Sequence, residues 1–192
     1  AAGTVTISAP PTLTNTLIAP RLGELLQRHP GLQVRLIGEK RSASLSRREA
    51  DVAVRLSRPT ENRLVARKVG SFGFGLYAAP DYLARHVPAQ YGFIAYDESL
   101  EDVPQQQWLK AVAGTRPIVA RINDLEGHRV AARGAVGVAA LPLFMGEGDP
   151  LLKPVAARLK SPSREIWLVV HRDLRRAAPV RAAMDFLAAC LG

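Results

Sequence analysis

Short apolar runs recur along this chain, separated by stretches whose apolar residues have helical spacing. Val5-Thr6-Ile7 opens as a strand. Residues 15–29 place Ile18, Leu22, Leu25 and Leu26 on one face, which predicts a helix. Pro20 falls early in it and is expected to cost a hydrogen bond and bend it, and Pro30-Gly31 ends it. Residues 33–37 read as a strand, 42–48 as a short helix, 51–55 as a buried strand with a charge at each end, and 64–69 as a further strand. The glycine-rich run 70–75 predicts a hinge or turn before an extended 76–79. Helices are predicted over 81–86, 108–113 and 124–133, and strands over 93–96, 118–122 and 136–141, the last closed by Pro142. A turn at 161–163 precedes a strand over 164–171, with Ile166, Leu168 and Val170 alternating. The last helix starts at Pro179, a favoured first-turn residue, and carries a stripe of Val180, Met184, Leu187 and Leu191. Strands alternating with helices predict an α/β protein with mostly parallel sheets. Such sheets bind ligands at the carboxyl ends of their strands.

Composition narrows the class. The chain has 192 residues, 47% hydrophobic and 22% charged, which excludes a wholly disordered polypeptide. No stretch approaches the roughly 20 apolar residues of a membrane span, so no membrane partner is expected. Cys190 is the only cysteine, so neither an intrachain disulfide nor a cysteine-based zinc site is available; set among alanines and leucines, it reads as a small buried hydrophobe. The formal charge is +9. The arginines are scattered, with only short clusters at Lys40-Arg41, Arg47-Arg48, Arg67-Lys68 and Arg175-Arg176, and aromatics make up only 6%. This pattern predicts solvated basic faces rather than a dedicated nucleic-acid surface. Ala1-Ala2-Gly3 leads straight into the first strand without a basic and then apolar leader, as expected of a cytoplasmic protein, a mature secreted one or a piece of a longer one.

Catalytic signatures are missing. The chain has no Gly-x-Ser-x-Gly elbow, His-Glu-x-x-His pair or Walker-type phosphate loop. His29, His86, His128 and His171 lie in separate segments and read as ordinary surface or core histidines. Asp97-Glu98 with Glu101-Asp102 could gather around a cation, but a solvated acidic loop is the simpler reading. No enzyme, metal or cofactor is expected. One constellation stands out: Thr12, Thr14, Asn15 and Thr16 follow the first strand at the start of the first helix, more polar groups than one cap requires. Unpaired N–H groups and the positive dipole end suit such a place to a carboxylate.

The order of segments resembles a known family. Thr4-Val5-Thr6-Ile7-Ser8-Ala9-Pro10, Leu26-Gln27-Arg28-His29-Pro30, Ala50-Asp51-Val52-Ala53-Val54-Arg55, Ala78-Ala79-Pro80-Asp81-Tyr82-Leu83, Asn123-Asp124, and Gly134 through Pro142 succeed one another as in the effector-binding domain of LysR-type transcriptional regulators. The resemblance covers nearly the whole chain. It implies two periplasmic-binding-protein-like (type II) α/β subdomains joined by two crossing strands, with residues 1–73 and 165–192 in the first and 74–164 in the second. It also implies a small effector in the cleft between them, a homodimer or tetramer, and a cytoplasmic protein that reads DNA only through an N-terminal winged helix-turn-helix, which this chain lacks. Matched to the family, Thr12, Leu13, Ile37, Gly38 and Arg55 would line the cleft from the first subdomain and Tyr96, Asn123 and Asp124 from the second. Arg55 could pair with an anionic effector through its forked guanidinium. A periplasmic solute-binding protein of similar fold is the alternative, and a small enzyme a third.

Overall fold

The computed structural model describes residues 1–39 and 49–192. The short helix expected over 42–48 lies outside them. The described chain packs as two compact units, one of residues 1–71 and 164–192, the other of residues 72–163.

In the first unit, β1 (Ala2–Ala9) pairs in parallel with both β2 (Gly31–Gly38) and β3 (Val52–Arg55). β3 pairs antiparallel with β9 (Ser163–His171), giving the order β2-β1-β3-β9. A strand buried on both faces reads as a continuous apolar run, and Val5 through Ala9 and Val52 through Val54 are all buried. Asp51 fixes the β1–β3 register: its carboxylate accepts the Thr6 N–H at 2.8 Å, and its own N–H donates to the Thr6 carbonyl at 2.9 Å. The charge at the start of this strand therefore serves the fold. The last helix, α7 (Ala178–Leu191), packs on β1, β3 and the first helical stretch. Its buried face is Val180, Ala183, Phe186, Leu187, Cys190 and Leu191, with Met184 only half-buried.

The first helical stretch begins at Pro11, four residues before the expected start. It runs as α1 (Pro11–Leu13), a π-helical turn (Thr14–Ile18), a 3₁₀ turn (Ala19–Arg21) and α2 (Leu22–Arg28). Pro20 explains the irregularity. It has no N–H to donate and its ring crowds the carbonyl four residues back. The backbone accommodates this with a wide turn, in which the Ala19 N–H reaches the Thr14 carbonyl, and then a tight one. The changed pitch rotates the later turns of the helix: Ile18 and Leu25 are buried, whereas Leu26, expected on the same face, is 38% exposed.

A second correction concerns the glycine-rich run. β4 (Leu64–Ala78) passes through it without a turn. Close approach is what demands glycine here. A Cβ on Gly70 would stand 2.1 Å from the Leu191 carbonyl oxygen at the end of α7.

The second unit orders its strands β4-β7-β5-β6, with β8 (Lys153–Val155) on the free side of β4. β5 (Phe93–Ala95) is parallel to β6 (Ile118–Arg121) and β7 (Val138–Pro142), and β4 is antiparallel to β7. Both faces are covered. Phe74, Leu76, Phe93, Val138 and Ala140 pack with α3 (Pro80–Arg85) and α4 (Pro104–Ala113) through Tyr82, Trp108 and Leu109. Tyr77, Ile94, Ala139 and Leu141 point the other way, toward α5 (Leu125–Arg133) and α6 (Leu143–Gly146) through Ala132 and Met145. Alternate residues of each strand thus feed two cores, as a pleated strand requires. β4 and β9 carry the chain from one unit to the other and back. No helix among the described residues is long and apolar enough to cross a membrane.

Candidate functional site

In the first unit, three adjacent parallel strands end together. β1 ends at Ala9 and turns through Pro10 into α1, β2 ends at Gly38 opposite Ala9, and β3 ends at Arg55. Gly38 lies close under the helix start, where a Cβ would meet the Pro11 Cα at 3.5 Å, and the Glu39 N–H donates to the Ala9 carbonyl at 2.9 Å. Thr12, Leu13, Ile37, Gly38 and Arg55 therefore belong to one end of one sheet. Leu13 and Thr14 are buried, Thr12, Ile37 and Arg55 are half-buried, and Gly38 is exposed.

The polar run at the helix start divides its labour. Pro10 is the N-cap and offers no side-chain bond, and Pro11 has no N–H to satisfy. The Thr14 hydroxyl turns inward and donates to the Ala9 carbonyl at 3.4 Å. The Thr12 hydroxyl has no partner among the described residues. The N–H groups of Thr12 and Leu13 fall in the first turn, where a helix supplies no acceptor.

In the second unit, Tyr96 follows β5, and Asn123 and Asp124 follow β6, again at carboxyl ends of parallel strands. Asp124 is the N-cap of α5, its carboxylate accepting the Gly127 N–H at 3.3 Å, which gives it a structural role of its own. Asn123 is exposed. The Tyr96 ring lies 4.4 Å from that of His128. His128 is buried under this loop, with Nε2 2.6 Å from the Ile122 carbonyl and Nδ1 without a partner among the described residues. Burial pushes its pKa below the usual imidazole value, against the raising effects of the Ile122 carbonyl and the Asp124 charge.

Sequence reasoning missed Gln106, which is 1% exposed. Its amide bonds both the N–H and the C=O of Tyr96 and also donates to Glu101 at 2.9 Å. The available signal was a run of three glutamines, Gln105, Gln106 and Gln107, on an otherwise amphipathic helix, of which the first two are buried. The acidic segment is solvated, as expected, but its carboxylates also hold the local backbone and pair with nearby cations. Asp97 caps a 3₁₀ turn by accepting the Ser99 N–H, and Glu101 pairs with Lys110 and Arg121. The Lys110 bond first, and then those from Gln106 and Arg121, hold the Glu101 carboxyl down at about 2. Among the described residues no group of histidine, cysteine and carboxylate side chains is placed to hold a metal.

Residues 1–191 match the LysR substrate binding domain. A Mau operon transcriptional activator of Paracoccus denitrificans is 31% identical over 165 residues, which are 82% of this chain and 54% of that protein. A transcriptional regulator of Escherichia coli is 24% identical over 156 residues, 73% of this chain and 50% of that one. The chain thus spans about half the length of these relatives. Among solved structures, the regulatory domain of CrgA, a LysR-type regulator from Neisseria meningitidis, superposes with a TM-score of 0.84 at 22% identity, covering both chains completely. The effector domain of AmpR of Pseudomonas aeruginosa gives 0.74 at 20% identity, covering 97% of this chain and 94% of that one. These likenesses establish the fold, two subdomains of type II periplasmic-binding-protein kind joined by two strands. The relatives are transcriptional regulators, not enzymes or solute carriers. The chain belongs to the LysR substrate-binding domain family and is a regulatory domain of LysR type.

Proposed function

We propose that the chain senses a small anionic metabolite and passes its presence to a DNA-reading domain outside this sequence. The observation that carries this reading is the gathering, at the carboxyl ends of β1, β2 and β3, of the Thr12 hydroxyl, the first-turn N–H groups of Thr12 and Leu13, the open backbone of Gly38 and the Arg55 guanidinium. The N–H groups and the guanidinium are donors only, and the hydroxyl can donate. Ile37 would supply apolar contact beside them. We read the first unit as regulatory subdomain I and the second as subdomain II. Tyr96, Asn123 and Asp124 would contribute from the second, Asp124 chiefly by holding the α5 terminus. To transmit anything, the effector must bind one arrangement of the protein better than another.

The intact regulator acts in this reading as a cytoplasmic homodimer or tetramer. Exposed apolar side chains that such assembly could cover include Leu26 in the first unit and Val87, Val119, Val130 and Leu151 in the second. DNA is bound through the N-terminal domain, and this fragment binds duplexes only weakly and without sequence preference.

The test is a thermal-shift survey of carboxylates against their neutral amides, followed by titration of the best carboxylate into Thr12→Ala and Arg55→Ala. Each lost charge-assisted bond, about 1.5–3 kcal/mol, should weaken binding about ten- to a hundredfold. Wild-type affinity in both folded variants would place the effector elsewhere.

A further inference from the structure

The second unit contains a cavity of about 850 Å³ between α3, α4 and β8. None of the proposed effector residues lines it. Phe93, the first residue of β5, forms part of its wall, while Tyr96 lies past the other end of that strand, about 10 Å away at the usual rise per residue. Its volume is that of a small-molecule site. The walls are apolar, from Leu76, Leu83, Tyr91, Phe93, Val112 and Val155.

Two arginines line the same cavity. The Arg116 guanidinium sits 4.8 Å over the Phe93 ring and donates to the carbonyls of Ala113, Pro88 and Val112 at 3.1, 2.8 and 2.7 Å. Those bonds fix its position and leave its charge in place. A guanidinium has five N–H donors, so two remain, and no carboxylate among the described residues pairs with it. Arg158 is exposed and has no ion-pair partner among the described residues. An apolar cavity with two cations unopposed by a carboxylate favours a ligand with a greasy body and one anionic end. A neutral apolar molecule would leave the charges unmet, and a small polar anion would leave the walls uncovered.

We propose that this cavity is a second binding site, for an amphipathic carboxylate whose tail lies along Leu83, Val112 and Val155 and whose carboxylate reaches Arg116 and Arg158. The position of Arg116, fixed before binding, lowers the ordering cost of the contact, and its planar fork matches a carboxylate.

The test titrates octanoate, 1-octanol and acetate into the 192-residue chain by calorimetry, with amide chemical shifts to locate the site. Octanoate should bind saturably, at least tenfold tighter than 1-octanol or acetate, and shift the amides of α4 and β8. Arg158→Gln, at an exposed position, should weaken octanoate about tenfold. Ala111→Trp, also exposed and lining the cavity, should abolish binding, and Thr12→Ala should leave it unchanged. Equal binding of octanol and octanoate, binding that survives Ala111→Trp, shifts centred on Thr12 or Tyr96, or no saturation in the millimolar range would each overturn the proposal.

Discussion

Gln106 grips the backbone of Tyr96 by both of its polar groups: Oε1 accepts the N–H at 3.1 Å and Nε2 donates to the C=O at 3.2 Å. The amide thereby stands in for a neighbouring strand just where β5 runs out. Gln106→Ala removes the partner of a part-buried N–H, although Arg121 still donates to the carbonyl at 2.9 Å. The expected loss is about 1–3 kcal/mol in urea unfolding, together with altered chemical shifts at Tyr96. Unchanged stability would mean that water replaces the amide at no cost.

Gly70→Ala should be destabilising out of proportion to one added methyl. The new carbon would lie 2.1 Å from the Leu191 carbonyl oxygen, and both partners are backbone, so β4 or the end of α7 must move. Overpacking of this kind costs about 1–3 kcal/mol. Gly23→Ala, on the exposed face of α2 with nothing within 4 Å, should stabilise slightly. Equal unfolding midpoints for the two variants would refute this account of the glycine run.

Two of the shifted groups should contribute to the pH dependence of stability in separate windows, Asp149 with its Arg129 and Arg133 partners adding to the acidic one. His128 has a depressed pKa, chiefly through burial, so the folded state resists protonation. Its contribution is present above the unfolded value of about 6.5 and declines as pH falls below it. Glu101, held at about 2 by Lys110 and its other partners, contributes above the ordinary glutamate range, and this is lost as pH drops from there through about 2. His128→Gln should flatten the stability profile just below pH 6.5, and Glu101→Gln the more acidic limb. A His128→Gln profile parallel to wild type would show that the imidazole is solvated after all.

The strand pattern was legible because its signals are local. Val5-Thr6-Ile7, Val52-Ala53-Val54 and the Ile166-Leu168-Val170 alternation all lie in the strands they suggested. The start of the first helix was not, because the helical apolar spacing begins only near Ile18, while the first turn is opened by Pro11, a good first helical residue. The 70–75 run misled because glycine signals both turns and close approach, and only the position of Leu191, far away in sequence, decides which. Of the candidate site, the polar run at Thr12 followed from its place after the first strand, whereas Leu13, Ile37, Gly38, Arg55, Tyr96, Asn123 and Asp124 came from the family resemblance. Gln106 and His128 did not: the glutamine run marks α4 as unusual, but nothing local tells which glutamine, or whether His128, serves a neighbouring loop.

The division of the chain also sets the order in which it can fold. The second unit is contiguous, and β5, β6, β7 and β8 have all been made once residue 163 emerges, with β9 the one neighbour of β4 still to follow. The first unit has β3 waiting for β9 and β1 waiting for α7, both supplied by the segment beyond that point. During synthesis, which releases domains as they are completed, the inner segment therefore has all of its own strands while the outer sheet still shows an open edge at β3 and an uncovered apolar face on β1. The proposed anion donors beside β1 and at Arg55 are set in that late-forming half, so the proposed site is completed only after α7 has been made.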